Sequence, residues 1–225
     1  MKNMRGAGAP AGDKRRPELS MDRASVATIT RLSSYYRVLV ESERDRQQTI
    51  SSKVLAERSG VSSAQVRKDL SIFGNFGRRG LGYNALQLRE QVGHILGLGR
   101  HWRVALVGAG NLGRALFAYK GFRKQGFHVE HVFDVDPAKT DELWGDVRIR
   151  PVSELRAAAA GNRIDIVILA VPADAGQKVA NMVVDAGVRA ILNFTPGQLA
   201  VPAAVAVRYV DLSIAIESLS YTLTK

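Results

Sequence analysis

Apolar residues recur at helical spacing through the first part of the chain and in short strand-like runs through the second. Ile29, Leu32, Tyr36, Leu39 and Val40 predict a helix over 25–43. "SKVLAERSG" predicts another, from an N-cap at Ser52 to a stop at Gly60. In "VSSAQVRKDLSIFG", Ser62 and Gln65 have capping-box spacing, and Val66, Leu70 and Phe73 share a face until Gly74. Two short helices around a tight glycine-containing turn outline a helix-turn-helix, about 36–75. "FGRRGLGY", residues 76–83, reads as a tight hairpin with Arg78 and Arg79 near its tip, which completes a winged-helix layout. A helix is expected from Asn84 to Leu96, and "GLGRHW" then marks a domain boundary.

After Arg103 the pattern alternates. Strands are expected at 103–107, 129–133, 147–150, 165–170, 188–192 and 205–210, with helices at 111–124, 153–160 and 174–186. Short β-rich runs joined by helices indicate a parallel α/β sheet. The last stretch, "DLSIAIESLSYTLTK", is a further amphipathic helix. The fold class is therefore α/β, with four expected segments: a tail over 1–24, a winged-helix domain over 25–96, a Rossmann domain over 97–210 and a terminal helix over 211–225.

Charge changes the picture. The formal net charge is +11. Residues 1–95 hold 17 Lys/Arg against 9 Asp/Glu, whereas residues 96–225 hold 15 against 12. A basic excess in the first half favours a polyanion such as nucleic acid. Gly, Pro and charge in residues 1–24 predict a disordered basic tail with no secretory signal. There is no Cys, which excludes disulfides and thiolate metal sites and fits a cytoplasmic protein. No run of 18 apolar residues predicts a membrane span.

Gly108-Ala109-Gly110-Asn111-Leu112-Gly113 is a G-x-G-x-x-G element between an apolar strand and a helix. Gly108 allows the turn, Gly110 lets a pyrophosphate approach the backbone, and Gly113 lets helix and strand pack. Asp134 ends the next strand, 21 residues beyond Gly113, where a carboxylate holds ribose hydroxyls. A carboxylate there repels a 2′-phosphate, which favours NAD(H) over NADP(H). Val171 and Pro172 in "LAVPADA", and Phe194 and Thr195 in "LNFTPGQ", follow later strands and are candidates for the nicotinamide end.

No acid–base group accompanies this site. His94, His101, His128 and His131 lie near the linker or on the adenosine side, and Tyr119 and Lys120 lack the spacing of a hydride-transfer pair. About 15 residues follow the last strand, too few for a substrate domain. A small NAD-dependent oxidoreductase with a basic interaction domain is the weaker reading, and a repressor sensing another nucleotide is a third. On the helix at 63–73, Arg67, Lys68 and Ser71 face away from Val66 and Leu70, an outer face suited to a major groove. Arg78, Arg79 and Tyr83 add a wing contact.

"VRKDLSIFGNFGRRGLGY" (Val66–Tyr83) together with "GAGNLG" and "FDVDP" (Phe133–Pro137) resembles the Rex family of bacterial redox-sensing transcriptional repressors. The resemblance runs from about Ala27 to the end, with "TRLSSYYRVL", "HILGL", "AYKGF", "VPA" and "NFTP" in matching order. It implies a homodimer with exchanged C-terminal helices on a near-palindromic double-stranded operator. It implies that the dimer represses genes of respiration and fermentation when NADH is scarce, that NADH closes the Rossmann domains and releases DNA, and that NAD+ competes weakly. By position, Gly108, Gly110, Gly113 and Asp134 would hold the cofactor, and Arg37, Tyr119 and Asp211 would couple its state to domain arrangement. Leu212 departs from the pattern, standing where some relatives carry an aromatic.

Overall fold

The computed structural model describes residues 24–78, 81–161 and 163–224. Residues 1–23 of the expected tail, and Arg79, which the sequence pattern puts near the hairpin tip, lie outside the described residues. The chain divides into two compact units, with the boundary between Gly97 and Leu98.

The first unit opens with α1 (Val26–Arg44), capped by Ser25, whose hydroxyl accepts from the Thr28 N–H. A short strand, β1 (Thr49–Ile50), precedes α2 (Ser52–Ser59). The cap of α2 is Ser51, one residue earlier than expected, and Gly60 ends the helix with φ +68°, a left-handed conformation that glycine adopts without steric cost. Next comes α3 (Ser63–Ser71), capped by Ser62, which ends before the expected Phe73. Only half of the expected capping box forms: Ser62 accepts from the Gln65 N–H, but the Gln65 amide reaches Asp69 instead of returning to Ser62. The strands β2 (Gly77–Arg78) and β3 (Gly82–Asn84) make the wing, and α4 (Ala85–Ile95) follows from an Asn84 cap. The antiparallel sheet has the order β1-β3-β2. Leu32, Tyr35, Leu39, Leu55, Val66, Leu70, Leu88 and Val92 form its core. Tyr35 is buried there, while Tyr36 of the sequence pattern is only half-buried.

The second unit is a seven-stranded sheet of order β10-β9-β8-β4-β5-β7-β6. Its strands are β4 (Trp102–Val107), β5 (Phe127–Asp134), β6 (Leu143–Trp144), β7 (Val147–Pro151), β8 (Ile166–Leu169), β9 (Ala190–Asn193) and β10 (Ala206–Tyr209). All pairs are parallel except β6 with β7, and β6 is a strand the sequence pattern does not announce. The strand order reverses between β4 and β8, so the crevice at their carboxyl ends is the ligand position of such a sheet. One face packs on α7 (Leu155–Ala159) and α8 (Ala173–Asp185) through Val107, Leu169, Val179 and Val183.

The other face carries α5 (Asn111–Ala118) and α6 (Lys120–Lys124). The expected single helix 111–124 is therefore wrong. Tyr119 breaks it with an extended ψ of 100°, and its ring lies where a side chain on Gly121 would collide, 2.4 Å away. The expected helix at 153–160 likewise opens as a 3-10 turn over Val152–Glu154. Finally, α9 (Leu212–Leu223) has no buried residue.

Candidate functional site

Gly108 and Gly113 are required by the protein's own packing. A Cβ on Gly108 would lie 2.3 Å from the Ala170 carbonyl oxygen, and φ there is +108°; one on Gly113 would lie 1.9 Å from the Gly108 carbonyl oxygen. Gly110 is different. It caps α5 with ordinary extended backbone (φ −82°), and a Cβ there would meet nothing within 4 Å. Its missing side chain leaves open space above the first turn of α5, where helix N–H groups lack intrahelical acceptors. A phosphate fits that cradle on both charge and shape. Asn111 and Leu112 form the exposed first turn, and Ala109 is buried.

Asp134 sits at the carboxyl end of β5 and is 6% exposed. Its carboxylate accepts from the Ala109 N–H (2.6 Å) and the Asp136 N–H (2.8 Å), and Lys139 Nζ stands 3.4 Å away. Burial works to raise its pKa, but these N–H groups and the ammonium outweigh burial and hold it below the usual carboxylate range. Asp134 thus ties β5 to the glycine loop. The sequence reading missed Lys139, because the cation arrives five residues later on a 3-10 turn capped by Asp136.

Val171 is buried against Gly108, and Pro172 is the exposed cap of α8. After β9, Asn193 braces the turn, accepting from the Thr195 N–H (3.0 Å) and donating to the Thr195 carbonyl (2.9 Å). Thr195 is 4% exposed, and its hydroxyl has no partner among the described residues. Leu112, Phe194 and Thr195 line one cavity of about 520 Å³, with Asp211 and Leu212 on its rim. The cavity therefore brings Leu112 of the glycine motif together with the "NFTP" turn.

Of the three expected coupling residues, Arg37 is exposed on α1, and Tyr119 stands 59% exposed with its ring edge-on to Phe122. Asp211 is exposed, its pKa lowered by the Ser213 hydroxyl and N–H. The histidines stay outside the cavity lining. His131 is held by Arg150 at 2.8 Å, its pKa lowered by burial and by that cation, and His101 stacks on His128 at 4.0 Å. Among the described residues no cluster of His, Asp and Glu could hold a metal ion.

In the first unit, Arg67, Lys68 and Ser71 are exposed on α3, whereas Val66, Asp69 and Leu70 are buried. Arg67 donates to the Ser52 hydroxyl (3.1 Å). A groove of about 760 Å³ runs between α3 and the wing, lined by Ser51, Ser52, Arg67, Ser71, Gly77 and Tyr83. Gly77 is needed there, because a Cβ would lie 2.7 Å from the Tyr83 ring. Burial pushes the Tyr83 hydroxyl pKa up, with Arg67 opposing it. Arg78 ends β2, paired with Gly82. A short helix with an exposed basic face beside a narrow two-stranded wing is an arrangement that meets a DNA groove and its phosphates.

Two family models match: "CoA binding domain" over residues 100–197 and "Putative DNA-binding protein N-terminus" over residues 24–71. Among characterised proteins, the chain is 48% identical to "Redox-sensing transcriptional repressor Rex" of Desulfitobacterium hafniense, over 87% of this chain and 93% of that one. It is also 48% identical to the protein of that name from Pelotomaculum thermopropionicum, over 88% and 93%. Among solved structures, RSP in complex with β-NAD+ and operator DNA matches with TM-score 0.84 and 40% identity, over 89% of this chain and 92% of that one. RSP in complex with β-NADH matches with TM-score 0.82 and 38% identity, over 89% and 94%.

Proposed function

The chain belongs to the Rex family of redox-sensing transcriptional repressors, and from that premise we propose how its two units divide the work. It is a regulator and not an enzyme, as its relatives are. Residues 25–96 form the operator-binding domain, residues 97–210 the domain that senses NADH and NAD+, and residues 211–225 the dimerisation helix. Gly108–Gly113 hold the pyrophosphate on the α5 N-terminus. Asp134 holds the adenosine ribose while fixing the loop through Ala109. Val171, Pro172, Phe194 and Thr195 surround the nicotinamide end. Arg67, Lys68, Ser71, Arg78, Arg79 and Tyr83 meet double-stranded DNA, and Arg37, Tyr119 and Asp211 carry the coupling. No helix among the described residues is long and apolar enough to cross a membrane, and the proposed location is the cytoplasm.

The observation that carries this reading is the open Cβ position of Gly110 in a chain that also presents an exposed basic α3 face. NADH and DNA are antagonists only if each prefers a different dimer geometry, and linkage then makes the effect reciprocal. The test is fluorescence anisotropy on a labelled operator duplex. Saturating NADH is expected to weaken binding at least about tenfold, within the usual range of allosteric coupling. An unchanged operator Kd would sink the sensor reading.

Asp134 and Lys139 give a prediction about cofactor choice. Asp134→Asn removes the charge that repels a 2′-phosphate and frees Lys139 to meet one. NADH binding is expected to weaken while the NADPH:NADH ratio of Kd values falls at least about tenfold, a change of roughly 1.4 kcal/mol. Equal weakening of both cofactors, measured by calorimetry, would leave Asp134 with the loop-fixing role alone.

A further inference from the structure

We propose that Asp69, buried beneath α3, is a positioning residue for operator recognition, fixing the rotation of α3 against α1 and so the direction in which Arg67, Lys68 and Ser71 point. The proposal rests on the reading of α3 as the DNA-contacting helix.

Asp69 is 1% exposed, and its carboxylate accepts four hydrogen bonds. Oδ2 accepts from Arg31 Nε (2.6 Å) and the Tyr35 hydroxyl (2.8 Å), while Oδ1 accepts from Arg31 Nη2 (2.7 Å) and Gln65 Nε2 (2.7 Å). Three of the four donors come from α1. Arg31 is itself braced by Thr28 (3.3 Å), which bonds the α1 cap residue Ser25 (3.0 Å). The buried side of α3 and the N-terminus of α1 are therefore joined by one continuous polar chain.

Stability does not require this arrangement. A buried ion pair is often no more stabilising than apolar side chains of the same volume. Val66 and Leu70 already attach α3 to the core, but the hydrophobic effect by itself is non-directional. A planar guanidinium fork adds a fixed direction. The difference matters at the outer surface. A helix with side chains is about 10–12 Å across, so a rotation of about 20° moves an outer side chain by roughly 2 Å. That is several times the tolerance of a hydrogen bond to a base edge. The fork also neutralises a carboxylate that would otherwise lie under a helix meant to approach phosphates.

The test replaces the pair with apolar residues, Arg31→Met with Asp69→Leu, which leaves the net charge unchanged. The probes are an operator duplex selected from random-sequence DNA by the wild-type chain and a scrambled duplex of the same composition. The double variant is expected to fold with a thermal midpoint lowered by the loss of an acceptor for the buried Tyr35 hydroxyl, and to bind the scrambled duplex within about twofold of wild type. Its operator-to-scrambled affinity ratio is expected to fall at least about tenfold, a loss of sequence reading without loss of phosphate attraction. A folded double variant with the wild-type ratio overturns the proposal. Should that variant fail to fold, Arg31→Lys keeps the charge and removes the fork; a ratio lowered at least about threefold supports the proposal, and an unchanged ratio overturns it. If the wild-type chain itself selects no preferred sequence, the reading of α3 as a DNA-contacting helix fails, and the proposal fails with it.

Discussion

Gly110→Val is expected to give a folded repressor that no longer answers NADH, with the NADH Kd raised about 100-fold or more and the operator Kd unchanged. The backbone of Gly110 (φ −82°, ψ −169°) is one that valine adopts, and nothing within 4 Å obstructs the first atom of a side chain. The fold therefore has no use for glycine at this position. The new side chain would stand over the first turn of α5, in the space proposed for the pyrophosphate. Losing two charge-assisted hydrogen bonds there costs about 3 kcal/mol, which is roughly 100-fold in Kd. Isothermal calorimetry gives the NADH Kd, and anisotropy gives the operator Kd with and without NADH. Gly113→Ala is the contrast: a Cβ 1.9 Å from the Gly108 carbonyl oxygen must displace backbone, so its thermal midpoint falls along with its NADH affinity. Wild-type NADH affinity in a folded Gly110→Val chain would place the cofactor elsewhere.

That contrast also shows what the sequence makes legible. The three glycines of "GAGNLG" look alike as letters, and the structure separates them by task. Caps and punctuation were readable because they are local: Ser62 and Gly60 do what short-range backbone chemistry requires. The parallel sheet of the second unit follows from the alternation of strands and helices. What escaped is side-chain contact that no periodicity encodes. The Tyr119 break depends on a ring lying over Gly121, which no helical periodicity encodes. Asp69 reads as one more polar position between Lys68 and Leu70, and its burial comes from Arg31 and Tyr35, more than thirty residues earlier in the chain. Lys139 reaches Asp134 only because a 3-10 turn folds it back.

Ile216→Glu together with Leu219→Glu is expected to convert the proposed dimer into a monomer and to weaken operator binding at least about 100-fold. Leu212, Ile216, Leu219 and Leu223 follow one another at intervals of four, three and four along one face of α9, with Ile214 and Tyr221 on the opposite face. All six are more than 60% exposed. A helix apolar on both faces belongs between two surfaces. The second unit supplies a matching one, since Val104, Ile166, Ile168 and Leu192 line an apolar cavity of about 340 Å³ on the β8–β10 half of its sheet. In the proposed dimer a second copy of α9 would cover such a face, and burying each Leu or Ile contributes about 1.5–3 kcal/mol. Two carboxylates on the stripe forfeit that contribution and add the cost of burying charge. A near-palindromic operator then loses its second half-site contact, which a dimer holds at high effective concentration and a monomer does not. Light scattering reads the mass and anisotropy reads the operator Kd; circular dichroism establishes that the Rossmann sheet is intact. A variant that stays dimeric with wild-type operator affinity would remove α9 from the interface and leave its two apolar faces without a partner.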